Sequence, residues 1–361
     1  MTAMLGTANS TLTLRQRACM AGPDPAYWYA VEWDAALKPE NVIDVQLWDT
    51  AVAVFRGRNG RISAIENRCA HRQVKLSHGF VEDCRLKCTY HGWTYGPDGR
   101  LVDIPHDRFG KPFPSVQLRT FPVEVRYGLI WVFFGDPALA NRKQIPKIPE
   151  LEGNKPWACV EKDYILKAHP TMIVNNAMDS THVATLHGRS FRTRSLKLGP
   201  LTRCQAEDDR VMISHQVTMD SNALLWYIAN RIKDGTQNTC YDYPNIWSTV
   251  GGVYWLWYFL LPVDKRTTRI FILSLSERVK IPFTPWLSPQ WLNRALLPLG
   301  KRLLVNPLLD EDVWSTEIEQ EGFDKHSDMP SIDFHPASHL CYQLTIRKWE
   351  EHLARDGGAQ A

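Results

Sequence analysis

The sequence predicts an α+β protein of two domains, in which a small all-β domain precedes a larger domain that mixes helices and strands. Three observations lead to this prediction. Short strand-forming runs alternate with turn signals in the first half, a proline-rich connection follows, and the second half contains both helix-like and strand-like runs. The 361 residues are enough for two domains of ordinary size. We assign residues 27–136 to the first domain, 137–361 to the second and 1–26 to an N-terminal extension.

The first domain is predicted to be all-β because turn signals separate its strand-forming runs. Asn59-Gly60 favours a tight hairpin turn, and Pro97-Asp98-Gly99 is a second turn signal. The runs that we expect to be strands are 51–55, 61–65, 86–95, 101–104 and 123–134.

The second domain begins after the proline-rich stretch 137–156, which we take as the connection. Helices are expected at 173–187 and 310–320, and strands at 210–217 and 268–277. This mixture is typical of an α+β domain.

Composition excludes several classes of protein. The net charge of +3, without a Lys/Arg tract, argues against nucleic-acid binding. The eight cysteines are spread too thinly for a small disulfide scaffold, no signal peptide is visible, and the apolar run 253–263 is too short to span a bilayer. We therefore expect a soluble cytoplasmic protein. Residues 282–309, rich in Leu, Trp and Pro, predict either peripheral contact with a membrane surface or an amphipathic helix packed on the core.

Two short Cys/His pairs form the first candidate metal site. Cys69 and His71 are separated by one residue, and Cys88 and His91 follow with two residues between them. A structural zinc site usually pairs Cys with Cys and His with His. The mixed pairs instead favour a [2Fe–2S] cluster in which one iron has two thiolates and the other has two imidazoles. Cys84 lies close by in sequence, and we expect it to be a free thiol.

These pairs resemble the cluster motif of the Rieske oxygenases, C-P-H-R followed by C-x-Y-H-G-W. The chain has Ala70 where the motif has Pro, and Gln73 where Gly is frequent. The resemblance implies that Cys69, His71, Cys88 and His91 hold the cluster. Basic residues surround these loops and indicate either a docking surface for an acidic ferredoxin or reductase, or ordinary solvated charge: Arg68, Arg72, Lys75, Arg85 and Lys87.

The second constellation is Asn175, Asp179, His182 and His187. On a helix the first three share a face, whereas His187 reaches that face only if the helix ends near Gly188. The spacing N-x₃-D-x₂-H-x₄-H resembles the mononuclear iron motif of the same family. The resemblance implies that His182 and His187 are the histidines of a 2-His-1-carboxylate site. It also implies that Asp179 links a cluster histidine to an iron histidine across a subunit boundary.

The third iron ligand is expected to be a carboxylate far along the chain. Asp310-Glu311-Asp312 stands before a charged helical stretch, as in related monooxygenases, and that register selects Asp312, with Asp310 as the alternative. An acidic first turn also stabilises a helix through its dipole, so a purely structural role for the cluster is the other interpretation.

The resemblance to Rieske non-haem iron oxygenases implies a complete activity. It implies a trimer, a helix-grip catalytic domain around an antiparallel sheet, one [2Fe–2S] cluster, one mononuclear Fe(II), and electrons from a ferredoxin or flavin reductase. We expect O₂-dependent monooxygenation, by hydroxylation or oxidative demethylation, of a hydrophobic ring compound. The alternatives are an aromatic-ring dioxygenase, a Rieske electron carrier and a zinc-stabilised binding module. Candidate pocket residues are Trp226, Tyr227, Trp255, Trp257, Phe259 and Leu260.

Overall fold

The computed structural model describes residues 12–153, 157–187, 196–219, 234–277, 301–329 and 331–359, together with residues 289, 292, 298 and 299. The chain divides into two compact units. The N-terminal unit contains Pro23–Pro146 and Leu261–Asp264, and the C-terminal unit contains Lys147–Leu260 and Lys265–Ala361. Helix α1, Leu14–Ala18, also belongs to the C-terminal unit, although the sequence suggested that it lies in a separate extension.

The N-terminal unit is built from three small antiparallel sheets. Their strand orders are β1-β11-β10, β2-β3-β4-β9 and β5-β6-β7-β8. The strands are β1 Trp28–Trp33, β2 Val42–Leu47, β3 Thr50–Arg56, β4 Ile62–Glu66, β5 Phe80–Glu82, β6 Arg85–Lys87, β7 Thr94–Tyr95, β8 Leu101–Asp103, β9 Thr120–Phe121, β10 Val123–Arg126 and β11 Leu129–Phe133. Short 3₁₀ helices occupy Leu76–His78 and Pro137–Arg142. The predicted all-β domain is confirmed.

Two of the expected strands in this unit are wrong in extent. The run 86–95 is two strands, β6 and β7, separated by a loop. The run 123–134 is a hairpin, because Tyr127 and Gly128 both adopt positive φ, 56° and 75°, as a type I′ turn requires.

A seven-stranded antiparallel sheet organises the described part of the C-terminal unit. Its strand order is β12-β18-β17-β16-β15-β14-β13. The strands are β12 Ala158–Leu166, β13 Leu196–Glu207, β14 Arg210–Met219, β15 Asp234–Asp242, β16 Asn245–Val250, β17 Tyr254–Asp264 and β18 Thr267–Ser276. Together with the helices, this sheet confirms the predicted α+β class.

The helices of this unit carry several of the candidate ligands. They are α2 Pro149–Glu152, α3 Pro170–Met178, α4 Val183–Leu186, α5 Asn306–Lys325 and α6 Pro336–Ala359, with a 3₁₀ turn at Ser180–His182 and a π turn at Lys301–Val305. The single helix expected over 173–187 is wrong, because α3 ends at Met178 and Asp179 is not helical. The helix expected over 310–320 is confirmed, but it begins at Asn306.

The segment for which a membrane contact was considered, 282–309, lies largely outside the described residues. No described helix combines the length and apolarity needed to cross a membrane.

Candidate metal centres

The Cys69 and Cys88 loops share one backbone pattern. Cys69 N–H donates to Val74 O (2.8 Å), and Gln73 N–H donates to Cys69 O (2.9 Å). Cys88 N–H donates to Trp93 O (2.9 Å), and Gly92 N–H donates to Cys88 O (3.1 Å). Gln73 and Gly92 occupy equivalent left-handed positions, with φ of 62° and 71°. Gln73 therefore accepts a conformation that costs about 1–2 kcal/mol for a residue with a Cβ.

The two thiols of these loops lie next to each other in the core of the N-terminal unit. Cys69 and Cys88 are both buried, and their side chains are close enough to interact. Burial raises the pKa of the Cys88 thiol, the backbone N–H groups of Tyr90 and His91 lower it, and the adjacent Cys69 raises it. Ala70 N–H donates to Tyr95 Oη (3.0 Å), and the same hydroxyl lies 3.4 Å from Cys69 Sγ, where it can donate to a thiolate ligand.

The two imidazoles of the loops form a second pair. The rings of His71 and His91 are 4.4 Å apart. Trp93 stacks on His71 at 4.8 Å with an interplanar angle of 5°, and its indole N–H donates to His106 Nε2 (3.2 Å). Buried His71 Nδ1 has no hydrogen-bond partner among the described residues. Two adjacent thiols and two adjacent imidazoles, one with an unpartnered buried nitrogen, fit an iron–sulfur cluster with mixed ligands.

The basic residues around the loops carry less unpaired charge than the sequence indicates. Ion pairs neutralise three of the five: Arg68 with Glu66 at 2.6 Å, Lys75 with Asp44 at 2.6 Å, and Lys87 with Glu82 at 3.2 Å.

The second site is formed where α3 breaks. The Asp179 carboxylate accepts from Thr181 N–H (3.1 Å) and Thr181 Oγ1–H (2.6 Å), so it caps the 3₁₀ turn at Ser180–His182. After α4, His187 leaves helical geometry with ψ near 0°. His182, at the end of that turn, and His187, directly after α4, lie with their ring centroids 5.4 Å apart.

Asp312 completes this site from the second turn of α5. Its Oδ1 lies 3.1 Å from His187 Nε2 and 3.4 Å from His182 Nε2. One ligand atom from each of the three residues lies within 4.8 Å of the others. Because no acidic residue occupies the first turn of α5, the helix dipole does not account for Asp312.

The hydrogen bonds at the other imidazole nitrogens set the tautomers. His182 Nδ1–H donates to the Asp179 carbonyl (2.6 Å), and His187 Nδ1–H donates to Glu311 Oε2 (2.8 Å). Each neutral Nε2 therefore presents a lone pair to Asp312 Oδ1, a buried oxygen that has no hydrogen-bond partner among the described residues. Three electron-rich atoms repel one another unless a cation lies between them, so this arrangement fits a metal ion.

Charge at the site also suits a cation. Burial raises the pKa of Asp312, but His182 and His187, when they are protonated, lower it by more, so the net shift is downward and Asp312 is a carboxylate beside a cationic imidazole. Burial lowers the pKa of His187, but Asp312 and Glu311 together raise it by a larger amount, so the net shift is upward. A metal ion must compete with a proton for this imidazole, which makes metal affinity depend on pH.

Glu311 is the functional candidate that sequence reasoning missed. It was visible only as one of three consecutive acids, with no feature marking it as a partner of His187. The alternative ligand, Asp310, is engaged elsewhere, where it accepts from Tyr164 Oη–H (2.6 Å).

Asn175 and Asp179 lie beside the site without joining the triad. The contact from Asp179 to His182 is made by its backbone carbonyl rather than by its carboxylate. Buried Asn175 donates from Nδ2 to Tyr342 Oη at 2.5 Å.

The described aromatic candidates for the pocket, Trp255, Trp257 and Phe259, lie on one face of β17, and Leu260 lies on the other. Tyr258 pairs with Ile246 on β16, and the Asp312 charge acts on its phenol, so the even-numbered residues of β17 face α5. Burial first, and then Asp312, raises the pKa of Tyr258. Side chains alternate along a strand, so Trp255, Trp257 and Phe259 point away from the triad. Trp226 and Tyr227 lie outside the described residues.

Two family models match this chain, one in each unit. Residues 27–122 match the Rieske [2Fe-2S] domain, and residues 166–290 match the vanillate O-demethylase oxygenase C-terminal domain. The dicamba monooxygenase structure with bound dicamba covers 93% of this chain and 100% of its own, with a TM-score of 0.72 and 20% identity. At that identity the structure is evidence for a shared fold.

Similarity in sequence extends to relatives of known activity. The vanillate O-demethylase oxygenase subunit of a Pseudomonas species is 32% identical over 203 residues, 55% of this chain and 56% of the relative. The 4beta-methylsterol monooxygenase of Methylococcus capsulatus is 38% identical over 348 residues, 94% of this chain and 92% of the relative. The chain belongs to the Rieske non-haem iron oxygenases, oxidoreductases that carry a [2Fe–2S] cluster and a mononuclear iron.

Proposed function

We propose that this chain is the terminal oxygenase of a monooxygenase system and that it hydroxylates or oxidatively demethylates a hydrophobic ring compound. The observation that carries the proposal is the convergence of two imidazole lone pairs on the buried Asp312 carboxylate, in a chain that also holds the paired Cys/His loops. In this proposal the cluster ligands are Cys69, His71, Cys88 and His91, and the iron ligands are His182, His187 and Asp312.

His182, His187 and Asp312 would hold the iron, and a 2-His-1-carboxylate set would leave coordination positions open for O₂ and substrate. When bound, the mononuclear Fe(II) supplies O₂ activation and the cluster supplies electrons. Two electrons and two protons are needed to place one oxygen atom in the substrate and release the other as water. A pure electron carrier would not need the second set of ligands.

Residues of the chain hold the iron ligands ready for this chemistry. Glu311 and the Asp179 carbonyl keep both imidazoles in the tautomer that presents Nε2. The break after α3 places Asp179 one turn before His182, and the Asp179 carboxylate is proposed to carry the electron route from a cluster histidine of a neighbouring subunit. A route between subunits implies a head-to-tail interface that closes into a ring. The resemblance to the family suggests that this ring is a homotrimer.

A methyl-bearing polycyclic compound is the substrate class that we favour. The near full-length similarity to a 4beta-methylsterol monooxygenase supports it. Tyr254 and Tyr258, on the face of β17 towards α5, offer amphipathic surface near the triad. A ferredoxin or flavin reductase is the proposed electron donor. A cytoplasmic location is the proposal that fits the six cysteines outside the cluster loops, which are free thiols.

Electron paramagnetic resonance of the anaerobic, dithionite-reduced protein, with iron and sulfide analysis, tests the cofactor assignment. A Rieske signal with three irons and two sulfides per chain is expected. Two irons with no third taken up on reconstitution would contradict the mononuclear site, and stoichiometric zinc would contradict both sites.

Turnover with a 4-methylsterol and with vanillate, driven by a surrogate ferredoxin and reductase, tests the substrate class. Oxidation of the sterol methyl group is expected, and turnover of vanillate alone would reject the polycyclic substrate. Asp179→Asn retains an oxygen that can cap Thr181, so both metals should stay while coupled turnover is lost. Normal turnover in that variant would exclude the proposed electron route.

A further inference from the structure

A continuous series of hydrogen bonds runs from His182 to the start of α6. His182 Nδ1–H donates to the Asp179 carbonyl (2.6 Å), and Asp179 N–H donates to the Asn175 carbonyl (2.9 Å). Asn175 Nδ2–H donates to Tyr342 Oη (2.5 Å), and Tyr342 Oη–H donates to Asp333 Oδ2 (3.2 Å). The candidate iron ligand is thus connected to two residues far along the chain.

Asp333 fixes the direction of the two side-chain hydrogen bonds that Tyr342 makes. An ionised carboxylate can only accept, so the Tyr342 hydroxyl must donate to it. The Tyr342 oxygen is then available only as an acceptor, and it takes the N–H of the Asn175 amide. An inverted Asn175 amide would compete with Asp333 for the single hydroxyl proton and leave one acceptor without a donor.

Packing holds the far end of this series in place. Tyr342 is 1% exposed and lies in a buried cluster with Ala18 and Ile346, where α1 meets α6. Burial raises the pKa of Tyr342, whereas the charge of Arg15 lowers it by a smaller amount, so the hydroxyl keeps its proton at neutral pH.

We propose that Tyr342 and Asp333 are positioning residues for the mononuclear iron site, acting through Asn175 and the Asp179 turn to hold His182 with Nε2 towards Asp312. Both lie outside the two matched domain ranges, 27–122 and 166–290. The inference rests on the ligand set given under the proposed function. A tether that fixes a ligand orientation changes metal affinity, typically about 10–100-fold when one outer partner is removed.

Tyr241 provides a matched control for this proposal. It is 4% exposed, and its hydroxyl also bonds to α6, at Thr345 Oγ1 (3.2 Å). Tyr241→Phe and Tyr342→Phe therefore each remove one buried hydroxyl that contacts the same helix. The Tyr241 bond makes no contact with Asn175, so a purely structural contribution predicts similar behaviour of the two variants.

Anaerobic equilibrium dialysis against buffered Fe(II) measures the third iron per chain, with the cluster signal and the thermal midpoint recorded on the same samples. We expect Tyr342→Phe to weaken Fe(II) binding at the third site about tenfold, with the cluster signal unchanged. Tyr241→Phe should bind Fe(II) like the native protein while losing similar thermal stability. Asp333→Asn keeps an acceptor but can also donate, so it should weaken Fe(II) binding less than Asp333→Ala, which should match Tyr342→Phe.

Native Fe(II) affinity in Tyr342→Phe would overturn the inference and leave the proposed ligand set standing. If Tyr241→Phe and Tyr342→Phe lost equal Fe(II) affinity, the Tyr342–Asn175 contact would contribute only to general stability. That result would also overturn the inference. If the native protein itself bound no third iron, the proposed function and this inference would both be wrong.

Discussion

Glu311 should control the affinity of the iron site without touching the metal. Its carboxylate accepts from His187 Nδ1 at 2.8 Å, and His187 is 3% exposed, so no solvent substitutes fully for the lost partner. Glu311→Ala removes a charge-assisted hydrogen bond worth about 1.5–3 kcal/mol. At about 1.4 kcal/mol per tenfold, Fe(II) binding should weaken by roughly 10–100-fold. Glu311→Gln keeps an acceptor and loses only the charge, so its effect should be smaller.

Anaerobic dialysis against buffered Fe(II) gives the dissociation constant of the third iron for each variant. Glu321→Gln is the control, because Glu321 lies on the same helix, exposed and paired with Lys325. It should bind Fe(II) as the native chain does. The reasoning is refuted if Glu311→Ala binds Fe(II) with native affinity, or if Glu321→Gln weakens binding as much.

Three further changes test separate parts of the structure. Asp312→Asn should lose the mononuclear iron and keep the cluster spectrum; a variant that retains three irons would remove Asp312 from the ligand set. Tyr95→Phe removes the hydroxyl 3.4 Å from Cys69 Sγ and should lower the cluster reduction potential, measured by EPR-monitored titration; an unchanged potential would mean that this contact does not reach the cluster. Burial lowers the pKa of His169 to about 4; the hydrogen bond to Ala21 O opposes this shift and the charge of Arg266 adds to it. Protonation of His169 therefore favours the unfolded chain. Stability should fall from pH 6.5 towards pH 4 by up to about 1.4 kcal/mol per pH unit, and His169→Asn, which keeps a cap for Thr171, should flatten this decline in thermal midpoint.

The cluster site could be predicted from sequence because its ligands are local. Cys69 to His91 span two short loops, and each loop needs a fixed spacing to return both ligands to one side. In the structure, matching pairs of backbone hydrogen bonds at Cys69 and at Cys88 close the two loops and fix that spacing. The pattern did not predict that Lys75 is neutralised, because its partner Asp44 lies on β2, 31 residues earlier.

The candidate iron site was harder to predict from sequence, because helical periodicity assumes a continuous helix and this site lies where the helix is interrupted. A continuous helix predicts that His187 cannot join His182, whereas in the structure α3 ends at Met178, His182 lies in a 3₁₀ turn and His187 follows the short helix α4. The Asp179-Ser180-Thr181 sequence carries the signal, because an Asp that accepts from the residue two positions on ends one helix and begins another turn. Glu311 lies 124 residues from His187, and no local pattern encodes their contact.

The aromatic residues of β17 led to a wrong expectation about the pocket for a related reason. Three consecutive odd positions of β17, Trp255, Trp257 and Phe259, are conspicuous in the sequence, whereas the residues facing α5 are the even-numbered tyrosines. Which set faces the helices is set by register, and a shift of one residue exchanges the two faces. Trp257 pairs with Trp247 on β16, so the odd-numbered aromatics form their own packed surface on the opposite face.

The charges around the triad indicate what Asp312 and Glu311 of α5 contribute together. Asp312 faces both Nε2 atoms and Glu311 takes the Nδ1–H of His187, so two carboxylates surround two neutral imidazoles. A buried excess of two negative charges is costly unless it is compensated. Protonating one imidazole compensates half of it, which is the direction of the raised pKa of His187. A divalent cation compensates all of it and also separates the three electron-rich atoms, so Glu311 contributes to the preference for a 2+ ion as well as to the orientation of its ligand.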